Sequence, residues 1–302
     1  MIPKFPDFKP IEISDREFIN NKIWEYRPET SELNFNNFFI WRYYYGFEWS
    51  MYEDWLLILT TNDTVGFSFF PPIGPPSRDD VTKLMLEWLR EEKSTKRPFI
   101  VRADKRLVSE IEKSGWFDIT PTRDHFDYIY HADSLSDLAG RKLHSKRNHI
   151  NKFKRLYDFE YLPISKELVD KCFQLFRKFH NWQECKEDPN SQAECISIHE
   201  ALMNFEKLKF QGGTINIANR VVAFTIGEKL NSETALIHIE KIDPEIPQLY
   251  SVINQQFSEH TWKDVVQFIN REQDLGKPGL RQAKSSYYPD HLIEKFQITL
   301  SQ

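Results

Sequence analysis

Residues Gly140 to Arg155 read GRKLHSKRNHINKFKR, a basic stretch that separates two halves of the chain with the same order of predicted elements. From Arg141 to Arg155 it holds seven Lys or Arg residues and no Asp or Glu, although the whole chain has a net charge of −5. The predicted helix lacks the acidic partners at i±4 that would neutralise it. A concentrated positive helix on an acidic protein indicates recognition of an anion: a nucleotide, an RNA backbone or a lipid headgroup.

The same stretch has a plainer interpretation, a solvated helix face. Leu143, Ile150 and Phe153 recur near helical spacing and predict a narrow apolar stripe against the protein body. Asn148 interleaves with the cations and can donate hydrogen bonds to phosphate oxygens, which favours the binding interpretation slightly.

The 302 residues are enough for two hydrophobic cores, and 40% of them are hydrophobic, as in globular proteins. No run approaches the roughly 18 apolar residues that a membrane-spanning helix needs, and the N-terminus has no apolar signal segment. We therefore expect a cytoplasmic protein. The three cysteines and nine histidines show no metal-site spacing, so we expect no metal and no required cofactor beyond the donor substrate.

The two halves each predict a hairpin-rich β portion, followed by helix, strand, helix and strand. In the first half, residues 34–45 predict a helix that ends at Gly46, residues 78–92 an amphipathic helix, and HFDYIYH (125–131) the closing strand. In the second half, Pro247 to Trp262 predicts a helix and HLIEKFQITL (291–300) the closing strand.

This doubled order is that of the acyltransferase fold of the Gcn5-related N-acetyltransferase superfamily. We predict an α+β protein with two tandem domains of this kind, each a mixed β-sheet flanked by helices. We expect the first domain, a candidate degenerate copy, at residues 1–135, and the second, which includes the basic helix, at residues 136–302.

Three stretches, GRKLHSKRNHINKF, ALIHIEKI and INREQDLGKPGLRQAKSSYYP, resemble an uncharacterised bacterial family over nearly the whole chain. That family is grouped with the C-terminal domain of phosphatidylglycerol lysyltransferases and is similar to Fem-type peptidoglycan aminoacyltransferases. The resemblance implies a tandem acyltransferase fold, an aminoacyl-tRNA donor and a basic helix near the donor. Lysyltransferases of this kind usually carry a long multi-span membrane part, and this sequence has none. We therefore expect, at most, peripheral contact with anionic lipid, and a small-molecule or peptide acceptor.

A second departure concerns coenzyme A. Acetyltransferases of this fold hold its pyrophosphate on the backbone N–H groups of a glycine-rich loop at a helix N-terminus. The corresponding stretch here, KIDPEIPQL (241–249), has no glycine, and Pro244 and Pro247 lack the N–H donors. An acyl-CoA donor stays an alternative, but the sequence favours aminoacyl-tRNA.

Acyl transfer needs a base for the attacking group and a proton donor for the leaving atom. Strand alternation in TALIHIEKID predicts Leu236, His238 and Glu240 on one face. Glu240, at the strand's end, is our first candidate for the base or for an anchor of a substrate ammonium. The alternative is an ordinary carboxylate paired with Lys241 or Arg271.

The polar run NREQD that follows the next strand adds Glu272 and Asp274 as candidates for the base or for amine binding; a solvated loop is the alternative. Many acetyltransferases of this fold use a tyrosine as general acid, which indicates Tyr287, with Tyr288 as the alternative. The expected donor-binding residues, which carry cations or amide groups, are Arg141, Lys142, Lys146, Arg147, Asn148, Lys241, Arg271, Arg281 and Lys284.

The sequence therefore predicts an acyl- or aminoacyltransferase that moves its group from a phosphate-bearing donor, aminoacyl-tRNA being favoured, to an amine or hydroxyl acceptor. Two alternatives stay open. One is a non-catalytic protein that binds tRNA, a nucleotide or anionic lipid on the same fold. The other is an acetyl-CoA-dependent N-acetyltransferase.

Overall fold

The computed structural model of the protein describes residues 1–62, 66–179 and 189–301, and it divides into two compact units. The first unit comprises Met1–Asp127, Gln273–Gly276 and Ile293–Gln302, and the second comprises Tyr128–Glu272 and Lys277–Leu292. Each unit contains a mixed sheet flanked by helices, which confirms the predicted α+β class.

The first unit is built on a seven-stranded sheet with the order β1-β2-β3-β4-β5-β14-β6. Strands β4 and β5 are parallel, whereas the pairs on either side of them are antiparallel. Its helices are α1 (Arg16–Tyr26), α2 (Phe35–Tyr45), α3 (Asp79–Glu91) and α4 (Lys105–Ile111), and its strands are β1 (Lys9–Pro10), β2 (Glu48–Tyr52), β3 (Trp55–Asn62), β4 (Gly66–Phe69), β5 (Phe99–Ala103), β6 (Phe117–Pro121) and β14 (Phe296–Leu300).

Local chemistry sets the ends of the predicted helices in this unit. Asn34 caps α2 by accepting a hydrogen bond from the Asn37 N–H at 2.7 Å, and Gly46 ends the helix with a φ of 61°. Helix α3 buries Val81, Met85 and other members of its predicted apolar face. Both helices therefore confirm the sequence prediction to within one residue at each end.

The second unit is built on a sheet with the order β13-β7-β12-β11-β10-β9-β8, in which β11 and β12 are parallel. The sequence also predicts a helix from Lys166 to His180, and His180 lies outside the described residues. Its helices are α5 (Ala132–Asp137), α6 (His144–Leu156), α7 (Lys166–Phe179), α8 (Pro189–Met203), α9 (Leu249–Phe257) and α10 (Pro278–Ser285), and its strands are β7 (Asp127–His131), β8 (Glu160–Pro163), β9 (Gln211–Ile217), β10 (Arg220–Lys229), β11 (Thr234–Ile242), β12 (Phe268–Asn270) and β13 (His291–Ile293).

The two closing strands lie in sheets other than those the sequence predicted. Strand β7, expected to close the first half, pairs with β12 of the second sheet. Strand β14, expected to close the second half, lies between β5 and β6 of the first sheet. Hydrophobic alternation identifies a strand but not its partner, because either sheet satisfies the same pattern.

Buried charges hold the C-terminal segment in the first unit. The Lys295 ammonium is fully buried and contacts the carboxylates of Glu32 and Asp127 and, at 3.1 Å, the Ser31 hydroxyl. Arg102 lies 2.9 Å from the second oxygen of Glu32. Two cations thus face two carboxylates, which is the condition under which buried charges are tolerated.

The basic helix α6 docks on the second core through its apolar stripe. Leu143, Ile150 and Phe153 are buried in one cluster with Val252 and Ile253 of α9, as the spacing predicted. The Phe153 ring packs against two further aromatic rings with centroids 4.9 Å and 5.2 Å away. The stripe therefore fixes which face of the helix meets solvent.

Replacing the fully buried Phe153 with Ala should lower the free energy of unfolding by about 3–5 kcal/mol, because a large aromatic cavity forms under α6. Leu156→Ala, at a 57% exposed position three residues on in the same helix, is the matched control. It should change stability by less than about 1 kcal/mol. Urea unfolding measures both, and equal effects would mean that the stripe does not hold the helix.

Candidate active site

The two central strands of the second sheet are paired over only three residues, because β12 ends at Asn270. Their parallel pairing ends at Leu236↔Asn270, yet β11 continues to Ile242 while it stays paired to β10. After β12 the chain turns at Glu272, which has a φ of 56° and donates its N–H to Asn270 Oδ1 at 2.7 Å. Side chains that follow both strands can therefore meet in the gap between them.

A bulge in β11 changes the direction of side chains along that gap. Ile226 and Gly227 are adjacent on β10, but they oppose Ile239 and Ile237, so His238 is the extra residue without an opposite partner. A bulge of this kind re-aims side chains and interrupts the two-residue alternation.

The bulge separates residues that the alternation predicted on one face, and that prediction is wrong. Glu240 shares the face of Ile237 and Ala235, which pack with α9, and it contacts α9 directly. His238 shares the opposite face with Leu236, because its imidazole contacts Glu228, the residue that opposes Leu236.

On the α9 side, Glu240 forms a close ion pair with Arg271. Arg271 Nη2 lies 2.6 Å from one carboxylate oxygen, and Asn254 Nδ2 of α9 donates to the other at 3.3 Å. Burial opposes the charge of Arg271, but the Glu240 carboxylate, with Tyr130 and Tyr287, raises its pKa overall. The guanidinium is therefore permanently charged, and Glu240 is its counter-ion.

Tyr287 lies beside this pair and is also buried. Its hydroxyl donates to Ser251 Oγ of α9 at 3.3 Å, and the Arg271 guanidinium carbon lies 5.2 Å from the ring centroid. Lys146 of the basic helix approaches the same ring at 4.1 Å. Burial raises the pKa of Tyr287, which keeps the phenol protonated, while burial and Arg271 lower the pKa of Lys146.

On the other face, Glu272 reaches a buried histidine. His238 Nε2 lies 2.8 Å from Glu228 Oε1, and its Nδ1 lies 3.3 Å from Glu272 Oε1. The Phe210 ring covers the imidazole, with centroids 5.5 Å apart. Burial lowers the pKa of His238, but the hydrogen bond to Glu228 and the negative charges of Glu228 and Glu272 outweigh it and raise that pKa to about 9. The imidazole is therefore a cation at neutral pH.

Lys284 supports the backbone where the chain leaves β12. Its ammonium donates to the carbonyls of Arg271 and, at 3.2 Å, Glu272. The Tyr130 hydroxyl in turn donates to the Lys284 carbonyl at 2.8 Å. Lys284 thus orients the segment that carries the candidate groups. Arg281, one turn earlier on α10, is partly exposed.

The cations of the basic segment divide into two groups. Arg147 turns inward and donates to the carbonyls of Leu138 and, at 2.7 Å, Gly140, and Asn148 Nδ2 lies 3.3 Å from His144 Nδ1. The exposed cations of the segment are Arg141, Lys142, Lys152, Lys154 and Arg155, and the side-chain amides of Asn148 and Asn151 are exposed as well.

The loop between β11 and α9 presents a carboxylate where a pyrophosphate cradle would need N–H donors. Asp243 is buried and lies 3.7 Å from Lys178 and 3.4 Å from Arg220. The residue before α9, Gln248, has a left-handed φ of 67°. This geometry does not fit a diphosphate, because the two prolines of the loop have no N–H and the N–H groups of Asp243 and Ile246 already donate to the carbonyls of Val222 and Asp243.

Two further predicted residues lie apart from this cluster. Lys241 pairs with Glu194 of α8 at 2.8 Å. Asp274 belongs to the first unit, where it is buried, lies 3.3 Å from Arg123 and accepts the Gly276 N–H at 2.9 Å. The second unit therefore brings together Glu240, Arg271, Tyr287 and Lys146, with Glu272 on the His238 side.

Sequence reasoning missed four participants: His238, Glu228, Ser251 and Asn254. Ser251 and Asn254 are polar residues three apart in an otherwise buried helix, a pattern that indicates a face turned towards polar groups. His238 carried a weaker signal, an ionisable residue inside an apolar strand.

Within the described ranges, no helix is long and apolar enough to cross a membrane, and no group of three or more His, Cys, Asp or Glu residues is arranged to hold a metal ion.

Comparisons with known proteins match this architecture. Residues 25–299 match the family described as phosphatidylglycerol lysyltransferase, C-terminal. A conserved protein of unknown function from Bacteroides thetaiotaomicron is 31% identical over 100% of both chains, with a TM-score of 0.88. An uncharacterised protein of Mycoplasmoides gallisepticum is 22% identical over 227 residues, which are 73% of this chain and 63% of that protein. The chain therefore spans less than two thirds of that relative.

More distant structures share the fold. L-PGS from Bacillus licheniformis is 14% identical over 99% of this chain and 93% of its own, with a TM-score of 0.65. A tandem GNAT protein from the clavulanic acid biosynthesis pathway is 9% identical over 97% of this chain and 98% of its own, with a TM-score of 0.51. These findings confirm the predicted resemblance and the tandem acyltransferase fold.

The raised pKa of His238 predicts a pH dependence of stability. A histidine with a pKa of 6.5 when unfolded and about 9 when folded stabilises the protein fully below pH 6.5, and this contribution is lost as pH rises towards 9. The free energy of unfolding should therefore fall more steeply between these pH values in the wild type than in His238→Gln. Parallel curves from urea titrations would contradict a charged His238.

Proposed function

The chain belongs to the phosphatidylglycerol lysyltransferase C-terminal family, and we propose that it transfers an aminoacyl or acyl group from a phosphate-bearing donor to an amine or hydroxyl acceptor. Aminoacyl-tRNA is the donor that we favour. One observation carries the proposal: Lys146 of the basic helix contacts Tyr287, so a cationic helix adjoins a buried group of ionisable side chains within one unit.

The basic helix suits a polyanionic donor. Its exposed cations along the helix, Lys152, Lys154 and Arg155, lie outside the buried stripe of Ile150 and Phe153, and the segment from Arg141 to Arg155 contains no carboxylate to neutralise them. When such a surface binds a nucleic acid, counter-ions condensed on the phosphates are released, which gives an affinity that does not depend on the base sequence. The donor's ester bond would then lie near Tyr287, because Lys146 turns away from the exposed side of the helix and contacts that ring.

An acyl-CoA donor is disfavoured by the loop after β11. The pyrophosphate of coenzyme A is normally bound by backbone N–H groups at a helix N-terminus. In this loop Pro244 and Pro247 have no N–H, and the N–H groups of Asp243 and Ile246 already donate to carbonyls of the protein, so few donors remain for an incoming diphosphate. The same argument applies to any nucleotide that uses that loop.

The proposed chemistry assigns one task to each group. Glu272 accepts the proton of the attacking amine or hydroxyl as its nitrogen or oxygen bonds to the acyl carbon. Tyr287, whose phenol stays protonated, donates a proton to the leaving ribose oxygen as the donor's ester bond breaks. Arg271, fixed by Glu240, provides a permanent positive charge beside the developing oxyanion. Lys284 holds the backbone of Arg271 and Glu272 in place.

The acceptor is proposed only by chemical class. A small-molecule or peptide acceptor with an amine or hydroxyl would reach the site without contact between the protein and a membrane surface. An anionic lipid would be reached by peripheral contact, for which the exposed cations before and along α6 are suited.

Bulk aminoacyl-tRNA should bind the wild type with a strong salt dependence. We expect the variant Arg141/Lys142/Lys152/Lys154→Ala, which leaves the inward-facing Lys146 and Arg147 intact, to lose most of the affinity. The slope of log Kd against log salt should fall by roughly one unit for each phosphate contact removed. Filter binding at several salt concentrations measures both quantities.

The matched control removes four exposed cations elsewhere, in the variant Lys96/Arg97/Lys113/Lys207→Ala. An equal loss of affinity in the control would show a non-specific charge effect, and binding of acetyl-CoA instead of tRNA would overturn the donor assignment.

Tyr287→Phe should slow transfer from bulk aminoacyl-tRNA to hydroxylamine, a surrogate acceptor, by about 10²–10⁴-fold, because the leaving oxygen loses its proton donor. The Kd for tRNA should stay the same. Tyr288→Phe, at a 51% exposed position, is the control and should keep full activity. Tight tRNA binding by a wild type that transfers nothing would identify a non-catalytic binding protein.

A further inference from the structure

Three ionisable side chains form a row on the face of β11 opposite Glu240. Glu228 comes from β10, His238 from the bulge in β11, and Glu272 from the turn after β12. His238 is 1% exposed as a side chain, Glu228 11% and Glu272 26%. The row thus runs from a buried carboxylate, through a buried imidazole, to a carboxylate that solvent can reach.

The charges in the row do not cancel. Among these three side chains, one imidazolium faces two carboxylates, which leaves one negative charge, and in the part of the chain that the structure describes Glu228, Glu272 and the uncharged Phe210 contact the ring. One buried carboxylate would be enough to balance the positive charge of the imidazolium. The second carboxylate, Glu272, is therefore the one that can exchange a proton with a substrate without leaving the imidazolium unpaired.

We propose that His238 is a positioning residue, backed by Glu228, that holds Glu272 as the proton acceptor of the transfer reaction. The inference rests on the proposed function and deepens it, because it names the group that takes the acceptor's proton and the side chains that fix its place. Nδ1 of His238 lies 3.3 Å from one oxygen of Glu272 as an ion pair, so in this proposal the imidazolium holds that oxygen by charge and the other oxygen serves the attacking amine or hydroxyl.

Proton balance supports this assignment. When the attacking group bonds to the acyl carbon, its proton passes to Glu272, and the row changes from one net negative charge to neutral. When the donor's ester bond breaks, Tyr287 protonates the leaving oxygen, and the proton on Glu272 then returns through solvent to the phenolate. Each group ends in its starting state, and no other reactant is needed.

The bulge is what makes the row possible. Without the extra residue, regular alternation would turn His238 and Glu240 to the same face. The bulge instead separates Glu240, the partner of Arg271, from the face on which Glu228 and Glu272 enclose the imidazole. The two carboxylates near the strand's end thus receive different cations and different tasks.

The first test needs no substrate. In ¹⁵N NMR of the wild type, both ring nitrogens of His238 should carry protons at pH 7.5. The pKa of the ring should fall in Glu228→Gln and in Glu272→Gln, because each loses one carboxylate partner. His199→Gln, which removes a 42% exposed imidazole, provides the matched assignment control and should leave the His238 signals unchanged. A neutral His238 ring at pH 7.5 would overturn the proposal.

The second test measures transfer from bulk aminoacyl-tRNA to hydroxylamine between pH 6.5 and 9.5, with uncatalysed hydrolysis subtracted. Wild-type kcat should fall as pH rises through about 9, where His238 loses its charge. We expect His238→Gln to lower kcat by about 10–100-fold at pH 7.5 with KM unchanged, and to remove that alkaline limb. Glu228→Gln, which preserves the side chain's shape, should shift the limb to lower pH, and this variant decides the matter if His238→Gln does not fold.

The outcomes separate the two proposals. A wild type with no transfer activity would overturn the proposed function, and with it the role given to Glu272. An active wild type whose kcat and pH profile are unchanged in both His238→Gln and Glu228→Gln would overturn this inference alone.

Discussion

The short pairing between β11 and β12 is the constraint on which the second unit depends. The two parallel strands pair only as far as Leu236↔Asn270, so the remainder of β11 loses its neighbour on that side while it stays paired to β10. A sheet that opens in this way exposes side chains and backbone of two strands to one gap. The polar residues at both strand ends converge there, and the apolar residues between them remain in the core.

Charge pairing explains why the gap tolerates so many ionisable groups. Arg271 is matched by Glu240 on the α9 side, and the His238 imidazolium is matched by Glu228 and Glu272 on the other. Burial alone would disfavour each of these charges, and each persists because a partner of opposite sign lies within hydrogen-bonding distance. The bulge at His238 keeps the two sets apart, so that neither cation competes for the other's carboxylate.

The loop after β11 and the helix α6 differ in how well each could bind a phosphate group. The loop after β11 contains two prolines without N–H, and the N–H groups of Asp243 and Ile246 donate to carbonyls of the protein, so the loop has few donors for a phosphate. Positive charge is concentrated instead around α6, whose apolar stripe anchors it while its other face stays in solvent. In the proposed function, the helix takes over donor binding from the loop, and Lys146 connects that helix with the phenol of Tyr287.

The sequence by itself determined the doubled α+β order, the apolar stripe of α6 and the end of α2 at Gly46, because these depend on periodicity and on a single glycine. It also selected Glu240, Arg271 and Tyr287 as candidates, since each stands near the end of an identifiable element. Only the tertiary structure decided that β7 and β14 join sheets outside their own halves, that Asp274 belongs to the first unit, and that His238 pairs with Glu228 and Glu272. The reason is physical. Strand partners and the one-residue bulge depend on packing between segments far apart in the chain, and a local sequence pattern does not show which distant segments pack together.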